Sequence, residues 1–143
     1  MSRRRALGAA CALLLGTALL AGACRPAPGP DPIVYDREAC VHCRMLISEP
    51  RFAAQRKDES GVASFDDPGC LLASLAGRPA AAGGLWFHHV REERWIPGER
   101  VAFEPVPKTP MGYGLGAVDA GSAGALSLEA ARERVAAFRR SAP

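Results

Sequence analysis

The chain has 143 residues, of which 48% are hydrophobic and 23% are charged, and its formal net charge is +3. Three arginines, Arg3, Arg4 and Arg5, stand before an apolar run at the N-terminus and equal the whole of that excess. The rest of the chain is therefore balanced in charge, which argues against a nucleic-acid surface and against a polybasic membrane patch. A chain of this length suits one domain, or two very small halves that share a core.

The first 23 residues have the layout of an export signal. In MSRRRALGAACALLLGTALLAGAC, arginines precede a short apolar run, and small residues precede Cys24. The run is too short and too rich in glycine to predict a membrane span. LLAGAC resembles the end of a bacterial lipoprotein signal, so we expect residues 1–23 to be removed and Cys24 to be lipidated. The alternative is ordinary secretion, which leaves Cys24 as a free thiol.

The next segment, RPAPGPDP, contains four prolines and shows no apolar periodicity. This composition predicts an extended tether over residues 24–32. The folded domain is then expected over residues 33–143.

The first half of that domain, about residues 33–78, is predicted to contain short strands and one helix. From Met45 the pattern indicates strands interrupted at Glu49 and Pro50, and again at residues 57–61. Asp66 and Asp67 are expected to be helix-capping residues before Pro68, and the apolar helix is expected to end at Gly77.

The second half, about residues 84–143, follows a flexible joint, GRPAAAGG, and shows a similar order of elements. LWFHHV, RWI and VAFEPV have strand composition, and MGYGLGAV could pair as a further strand despite its glycines. A last helix is predicted from Ser127 as N-cap, with an apolar stripe through Leu128, Ala131, Val135 and Phe138. The predicted class is therefore α+β, with antiparallel strands followed by a helix in each of two small halves.

The cysteines are the first candidates for chemistry. Cys11 lies in the predicted signal and Cys24 at its end, which leaves Cys40, Cys43 and Cys70. Three is an odd number, so at least one thiol of an exported protein stays free or is used.

Cys40 and Cys43 belong to the segment CVHCRM, which ends in a methionine. If residues 43–47 are extended, Cys43, Met45 and Ile47 point to one face. Mixed thiolate and thioether ligands favour Cu(I), and the lack of a second CxxC weakens a structural zinc site. The alternative from the residues alone is that Cys40 and Cys43 form a disulfide or pack as small apolar groups, with Met45 in the core.

A second sulfur, Met111, lies in KTPMGYGLGA. Proline before it restricts the backbone, and the glycines after it permit tight turns and the close approach of a ligand. The alternative is that these glycines are simply those of a loop.

Three histidines and the third cysteine are weaker candidates. His42 lies between the cysteines but is expected to be solvated, because neighbouring side chains point elsewhere. His88 and His89 are adjacent in a predicted strand, so only one of them is expected to face the core. Cys70 falls in the first turn of the predicted helix, where a thiolate is favoured, but a buried structural thiol is the preferred interpretation.

Four segments, CVHCRMLI, RFAAQ, SFDDPGCL and TPMGYGLGA, follow the signal in this order. Together they resemble the NosL family of nitrous oxide reductase accessory lipoproteins, and the likeness covers most of the chain after the signal. The CxxCxM cluster and the PMGxG loop are its most specific parts. Arg44 stands where the family usually has a glycine, and Pro68 where an aliphatic residue is commoner.

The resemblance implies a lipid-anchored Cu(I) metallochaperone in the cell envelope, facing the periplasm. It would supply copper to the catalytic copper-sulfide centre of nitrous oxide reductase, beside a membrane transporter complex of the same system, and it would not be an enzyme. The implied fold has two small halves of ββαβ-like topology. The copper ligands implied by the matching motifs are Cys40, Cys43, Met45 and Met111.

Two other functions are compatible with parts of the sequence. CVHC and the Thr109–Pro110 pair resemble features of periplasmic thiol-disulfide oxidoreductases, although a CxxC of that kind opens a helix and Pro50 follows too soon for a long one. A structural lipoprotein without metal is the third hypothesis, in which Cys40, Cys43 and Met45 matter for folding alone.

Overall fold

The computed structural model describes residues 29–78 and 83–141 as two antiparallel sheets with two α-helices. In chain order the elements are β1 (Ala54–Asp58), β2 (Gly61–Phe65), α1 (Pro68–Ser74), β3 (Leu85–His88), β4 (Trp95–Pro97), β5 (Val101–Pro105), β6 (Leu115–Asp119), β7 (Leu126–Ser127) and α2 (Leu128–Ser141). Short 3-10 helices occupy Pro50–Phe52 and Gly98–Arg100. The predicted signal, Cys24 and most of the predicted tether lie outside the described residues.

The first sheet has the strand order β2-β1-β3-β4. β1 and β2 form a hairpin in which Ala54 pairs with Phe65 and Asp58 with Gly61. Gly61 has φ +114, a backbone conformation that side-chain-bearing residues rarely adopt, so glycine suits the end of this turn. β3 pairs with β1 although it follows the predicted joint, so this sheet draws strands from both sides of residues 77–84.

Helix α1 starts as the sequence predicts. Asp67 is its N-cap and accepts a hydrogen bond from the Gly69 N–H, and Pro68 occupies the first turn. Pro68 suits that position because the first helical N–H groups have no partner within the helix. The residues from Pro68 to Ala73 are buried, so the helix is enclosed by the rest of the fold.

The second sheet has the order β6-β5-β7, and α2 follows it directly. The Ser127 hydroxyl accepts a hydrogen bond from the Ala130 N–H at 3.2 Å, which confirms the predicted N-cap. Ala131 and Val135 are buried, whereas Phe138, the last residue of the predicted apolar stripe, is 43% exposed.

A common core joins the two sheets. Phe87 of β3 and Phe103 of β5 contact each other edge to face, with ring centroids 5.1 Å apart. Buried residues of both sheets and both helices belong to one cluster that includes Phe65, Leu71 and Val135. The predicted α+β class, with antiparallel strands and a helix in each half, is confirmed.

The chain before β1 is docked on the first sheet. Gln55 is 1% exposed. Its Oε1 accepts from the Asp31 N–H at 2.8 Å, and its Nε2 donates to the Asp31 carbonyl at 3.0 Å. The Lys57 ammonium lies 2.6 Å from the Asp31 carboxylate. Asp31 therefore belongs to the folded domain, two residues before the predicted start at Ile33.

The segment from Met45 to Ile47 is not the strand that the sequence predicts. Within the described part of the chain, its one β-ladder contact is an isolated bridge between Ala39 and Leu46. No helix in the described residues has both the length and the apolar character that crossing a membrane requires.

Candidate metal centre

A tight turn presents Cys40 and Cys43. The bridge between Ala39 and Leu46 closes the turn, the Cys40 N–H donates to the Met45 carbonyl at 2.8 Å, and the Arg44 N–H donates to the Cys40 carbonyl at 3.0 Å. Arg44 has φ 69, in the left-handed region, which reverses the chain after Cys43. The turn leaves Cys40 fully buried and Cys43 partly exposed.

Helix α1 brings a third thiol and a carboxylate to the same place. Cys70 lies in its first turn and is fully buried, and Asp66 directly precedes the N-cap. The Cys43 thiol donates to Asp66 Oδ1 at 3.2 Å. One ligand atom from each of Cys40, Cys43, Asp66 and Cys70 lies within 4.8 Å of the others, so this group could hold a metal ion.

Hydrogen bonds and burial shift the pKa values of these four groups in different directions. The Cys70 thiol donates to Cys40, which lowers the pKa of Cys40, with help from the backbone N–H groups of Cys43, Asp66 and His42. The same bond raises the pKa of Cys70, whereas burial is the main cause that raises the pKa of Cys43. Burial also raises the pKa of Asp66 to about 6.

The donor set suits a thiophilic metal. Three sulfurs are typical of Cu(I) and zinc sites, and a carboxylate can complete a tetrahedral zinc site. The absence of a second CxxC was the argument from the sequence against a zinc site. It loses its weight because Cys70 and Asp66 could supply two further ligands.

The predicted methionine ligands lie at the surface. Met45 is 60% exposed and Ile47 is fully buried, so the prediction that Cys43, Met45 and Ile47 share one strand face is wrong. The left-handed Arg44 interrupts the extended chain on which that face depended. Met111 is 37% exposed, and its backbone N–H donates to Asp67 Oδ2 at 2.9 Å. This contact attaches the predicted Met111 loop to the start of the helix that carries Cys70.

None of the three histidines belongs to this candidate metal-binding group. His42 is exposed, as predicted, and burial followed by the charge of Arg139 lowers its pKa. His88 and His89 are both buried, so the expectation that only one faces the core is wrong. The reason is that β3 ends at His88, and the Nδ1 of His89 accepts hydrogen bonds from the N–H groups of Arg91 and Glu92. A buried histidine is tolerated there because it stabilises the turn.

Sequence reasoning missed Asp66 and the metal-binding potential of Cys70. Asp66 was expected to be a capping residue, but Asp67 alone caps α1 and Asp66 faces the thiols. One signal was present, namely the odd number of cysteines, which left a third thiol to be explained. Asp66 precedes the N-cap of α1, so helical spacing does not predict that it lies beside Cys70.

Comparisons of the chain with protein-family models, with curated proteins and with solved structures find no match. The arguments for function therefore depend on the chain's own residues and on the motif resemblance described above.

Proposed function

We propose that the protein is an exported Cu(I) metallochaperone of the NosL type, which supplies copper for the maturation of nitrous oxide reductase. The observation that carries the proposal is the convergence of three thiols, from Cys40, Cys43 and Cys70, within 4.8 Å. Thiolates are preferred ligands of Cu(I), and three of them bind it with room for a further ligand.

The graded exposure of the thiols suits a carrier that must release its metal. Cys40 and Cys70 are fully buried, and Cys43 is partly exposed. An incoming ligand from a partner therefore meets the metal at the Cys43 side. The exchange starts by replacing one sulfur while the two buried ones still hold the ion.

The oxidoreductase alternative is disfavoured by the local structure. A CxxC of that class opens a helix, which lowers the pKa of its first, exposed thiol. Here the first cysteine, Cys40, is fully buried, and a left-handed residue and a β-bridge follow Cys43. We therefore propose a binding protein without turnover, and not an enzyme.

The proposed partners and location follow the motif resemblance. Nitrous oxide reductase and its associated membrane transporter complex would exchange copper with the protein. Lipid on Cys24 would hold it in the cell envelope, facing the periplasm.

Zinc is the second candidate cargo, because Asp66 completes a set of four donors with the three cysteines. The need for the Asp66 carboxylate distinguishes a Zn²⁺ site from a Cu(I) site. Zn²⁺ accepts a carboxylate ligand readily, whereas Cu(I) is satisfied by soft sulfur.

The test is an anaerobic competition titration of the full chain in detergent, against a Cu(I) chelator and against a Zn²⁺ chelator. For copper we expect Cys43→Ser and Cys70→Ser to weaken binding at least about 10-fold, and Asp66→Asn to change it little. His42→Ala is the matched control, because His42 lies between the cysteines with an exposed side chain. Weak Cu(I) binding by the parent, or equal binding by all variants, would sink the proposal. Tight zinc binding that Asp66→Asn abolishes would favour zinc instead.

The same titration has an expected pH dependence. The pKa values of Cys43 and Cys70 are raised, so both carry protons near neutral pH, and a metal ion must displace them. Cu(I) affinity is therefore expected to rise with pH, with release of about two protons per ion. Calorimetry in buffers of different ionisation enthalpy measures that number directly.

A further inference from the structure

Asp67 is a buried carboxylate that bonds two distant parts of the chain. Its Oδ1 accepts from the Gly69 N–H at 2.8 Å, and its Oδ2 accepts from the Met111 N–H at 2.9 Å. The Thr109 side chain also hydrogen-bonds it. One side chain thus joins the start of α1 to the loop that carries Met111.

Capping the helix explains only half of this arrangement. One side-chain oxygen is sufficient for an N-cap, and serine, threonine or asparagine provide it without a charge. Asp67 is 0% exposed, and burying a carboxylate is costly unless both oxygens have partners. The second oxygen is used across the fold, on Met111.

The loop itself holds Met111 in one place. The Gly112 N–H donates to the Thr109 carbonyl at 3.1 Å, and the Gly114 N–H donates to the Thr109 hydroxyl at 3.2 Å. Tyr113 packs so closely on α1 that a Cβ on Gly69 would lie 2.1 Å from its Cγ. The backbone of Met111 is therefore fixed against α1, while its side chain remains 37% exposed.

The helix end that receives this loop is also the one that carries the thiol cluster. Cys70 lies in the first turn of α1, and Asp66 is the residue before Asp67. The bond from the Met111 N–H to Asp67 therefore lies at the same end of α1 as Cys70.

We infer that Asp67 is a positioning residue, which holds the loop bearing Met111 against the helix bearing Cys70 so that the thioether reaches a metal ion on the thiol cluster. This inference rests on the proposed Cu(I)-binding function and adds to it how the two sulfur-bearing segments are aligned. Asp67 does not itself touch the metal.

Asp67→Asn separates the two roles of the side chain. Asparagine is as good an N-cap as aspartate, so its oxygen can keep the bond to the Gly69 N–H. Its NH₂ group then faces the Met111 N–H, and two donors repel where an acceptor stood. The variant is expected to retain the helix and to lose the loop contact.

The first measurement is a double-mutant cycle on Cu(I) affinity in the full chain, by anaerobic chelator competition. We expect Asp67→Asn and Met111→Leu each to weaken binding about 10-fold to 100-fold, as supporting residues of metal sites do. The double variant should bind no more weakly than Met111→Leu alone, because both changes remove the same contact. Independent effects that multiply in the double variant would overturn the inference.

The second measurement reports the contact itself. The chain contains three methionines, so selenomethionine labelling of a Met45→Leu variant leaves Met111 and Met1 as selenium positions. We expect X-ray absorption to show copper–selenium scattering there, and to show none after either Met111→Leu or Asp67→Asn is added. Circular dichroism checks folding, and Asp67→Ser, a short N-cap without the second acceptor, replaces Asp67→Asn if that variant does not fold.

The outcomes separate the inference from the proposed function. Copper–selenium scattering that persists in the Asp67 variant overturns the positioning role and leaves Met111 as a ligand. Scattering that is absent with Asp67 intact overturns the positioning role and the Met111 assignment together. In that case Cu(I) binding by the thiols is still decided by the cysteine variants.

Discussion

Arg44 sets the shape of the segment that presents two of the three thiols. Its φ of 69 lies in the left-handed region, where a Cβ is crowded by the backbone at a cost of about 1–2 kcal/mol. Its side chain is exposed, and only its backbone N–H takes part in the turn, by donating to the Cys40 carbonyl. The turn thus requires this conformation, and the exposed arginine side chain does not offset its steric cost.

This strain leads to a prediction at the residue scale. Arg44→Gly should raise the free energy of unfolding by about 1 kcal/mol, because glycine adopts positive φ without steric cost. Thermal and denaturant unfolding of the metal-free protein measure the change. Arg44→Ala is the control, since alanine keeps the Cβ, and equal stability of the two variants would contradict the explanation.

Individual residues also mark how far the sequence predicts the site. Cys40 and Cys43 were identified from their spacing, which is local information. The burial of Cys40 and the exposure of Met45 follow from the left-handed Arg44. An arginine does not itself indicate positive φ, and the glycine usual at that position in the resembling family was the one sign of it. Asp66 and Cys70 were missed as candidate ligands because their proximity to the CxxC turn depends on how β2 and α1 pack against it.

At the scale of elements, α1 and the Met111 loop form one supporting unit. Gly69 has no side chain, and the Tyr113 ring fills that space and also packs on Phe138 of α2, with centroids 5.1 Å apart. Gly69 is therefore needed for the close approach of Tyr113 to α1, and not for its own backbone conformation. Its absence of a Cβ lets one aromatic ring contact both helices.

Gly69→Ala is expected to destabilise the protein by about 1–3 kcal/mol, the usual cost of overpacking a close contact. Gly83→Ala is the matched control, because its added Cβ meets only Glu99 Oε1 at 3.6 Å, an ordinary contact distance. Combining Gly69→Ala with Tyr113→Gly should remove most of the clash, because the Tyr113 Cβ would itself lie 2.5 Å from the added Cβ. Chemical denaturation of the four proteins measures these differences, and a Gly69→Ala variant as stable as the parent would contradict the packing argument.

Most elements could be predicted because their signals are local. The capping residues Asp67 and Ser127 start the two helices where the sequence places them. The joint at residues 77–84 was a weaker guide, since β3 and β4 follow it and yet complete the first sheet. Strand partners are chosen by long-range packing, which composition and periodicity do not contain.

At the scale of the whole molecule, the two sheets share one core. Phe87 and Phe103 come from different sheets and meet edge to face, and both are fully buried. The core cluster also contains Cys40 and Cys70, so the candidate metal centre is built into the same packed interior. Loss of core packing is therefore expected to affect both sheets and the thiols together.

Phe103→Ala should lower the free energy of unfolding by about 3–5 kcal/mol, by the loss of buried contacts and the cavity that remains. Because the core is common, unfolding should stay a single transition, seen alike by circular dichroism and by thiol labelling of Cys70. Val62→Ala, at a 40% exposed position, is the control and should change stability little. Two separate transitions in the parent would show that the sheets fold independently.

The docking of Asp31 on Gln55 limits how far the protein can stand from a membrane. If Cys24 carries lipid as proposed, only residues 25–30 separate the anchor from a point fixed on the first sheet. Six residues span at most about 20 Å when fully extended. The proposed donor and acceptor of copper must therefore offer their ligands within a thin layer above the bilayer. Within that layer the short tether raises the local concentration of the carrier and favours copper transfer by repeated brief encounters.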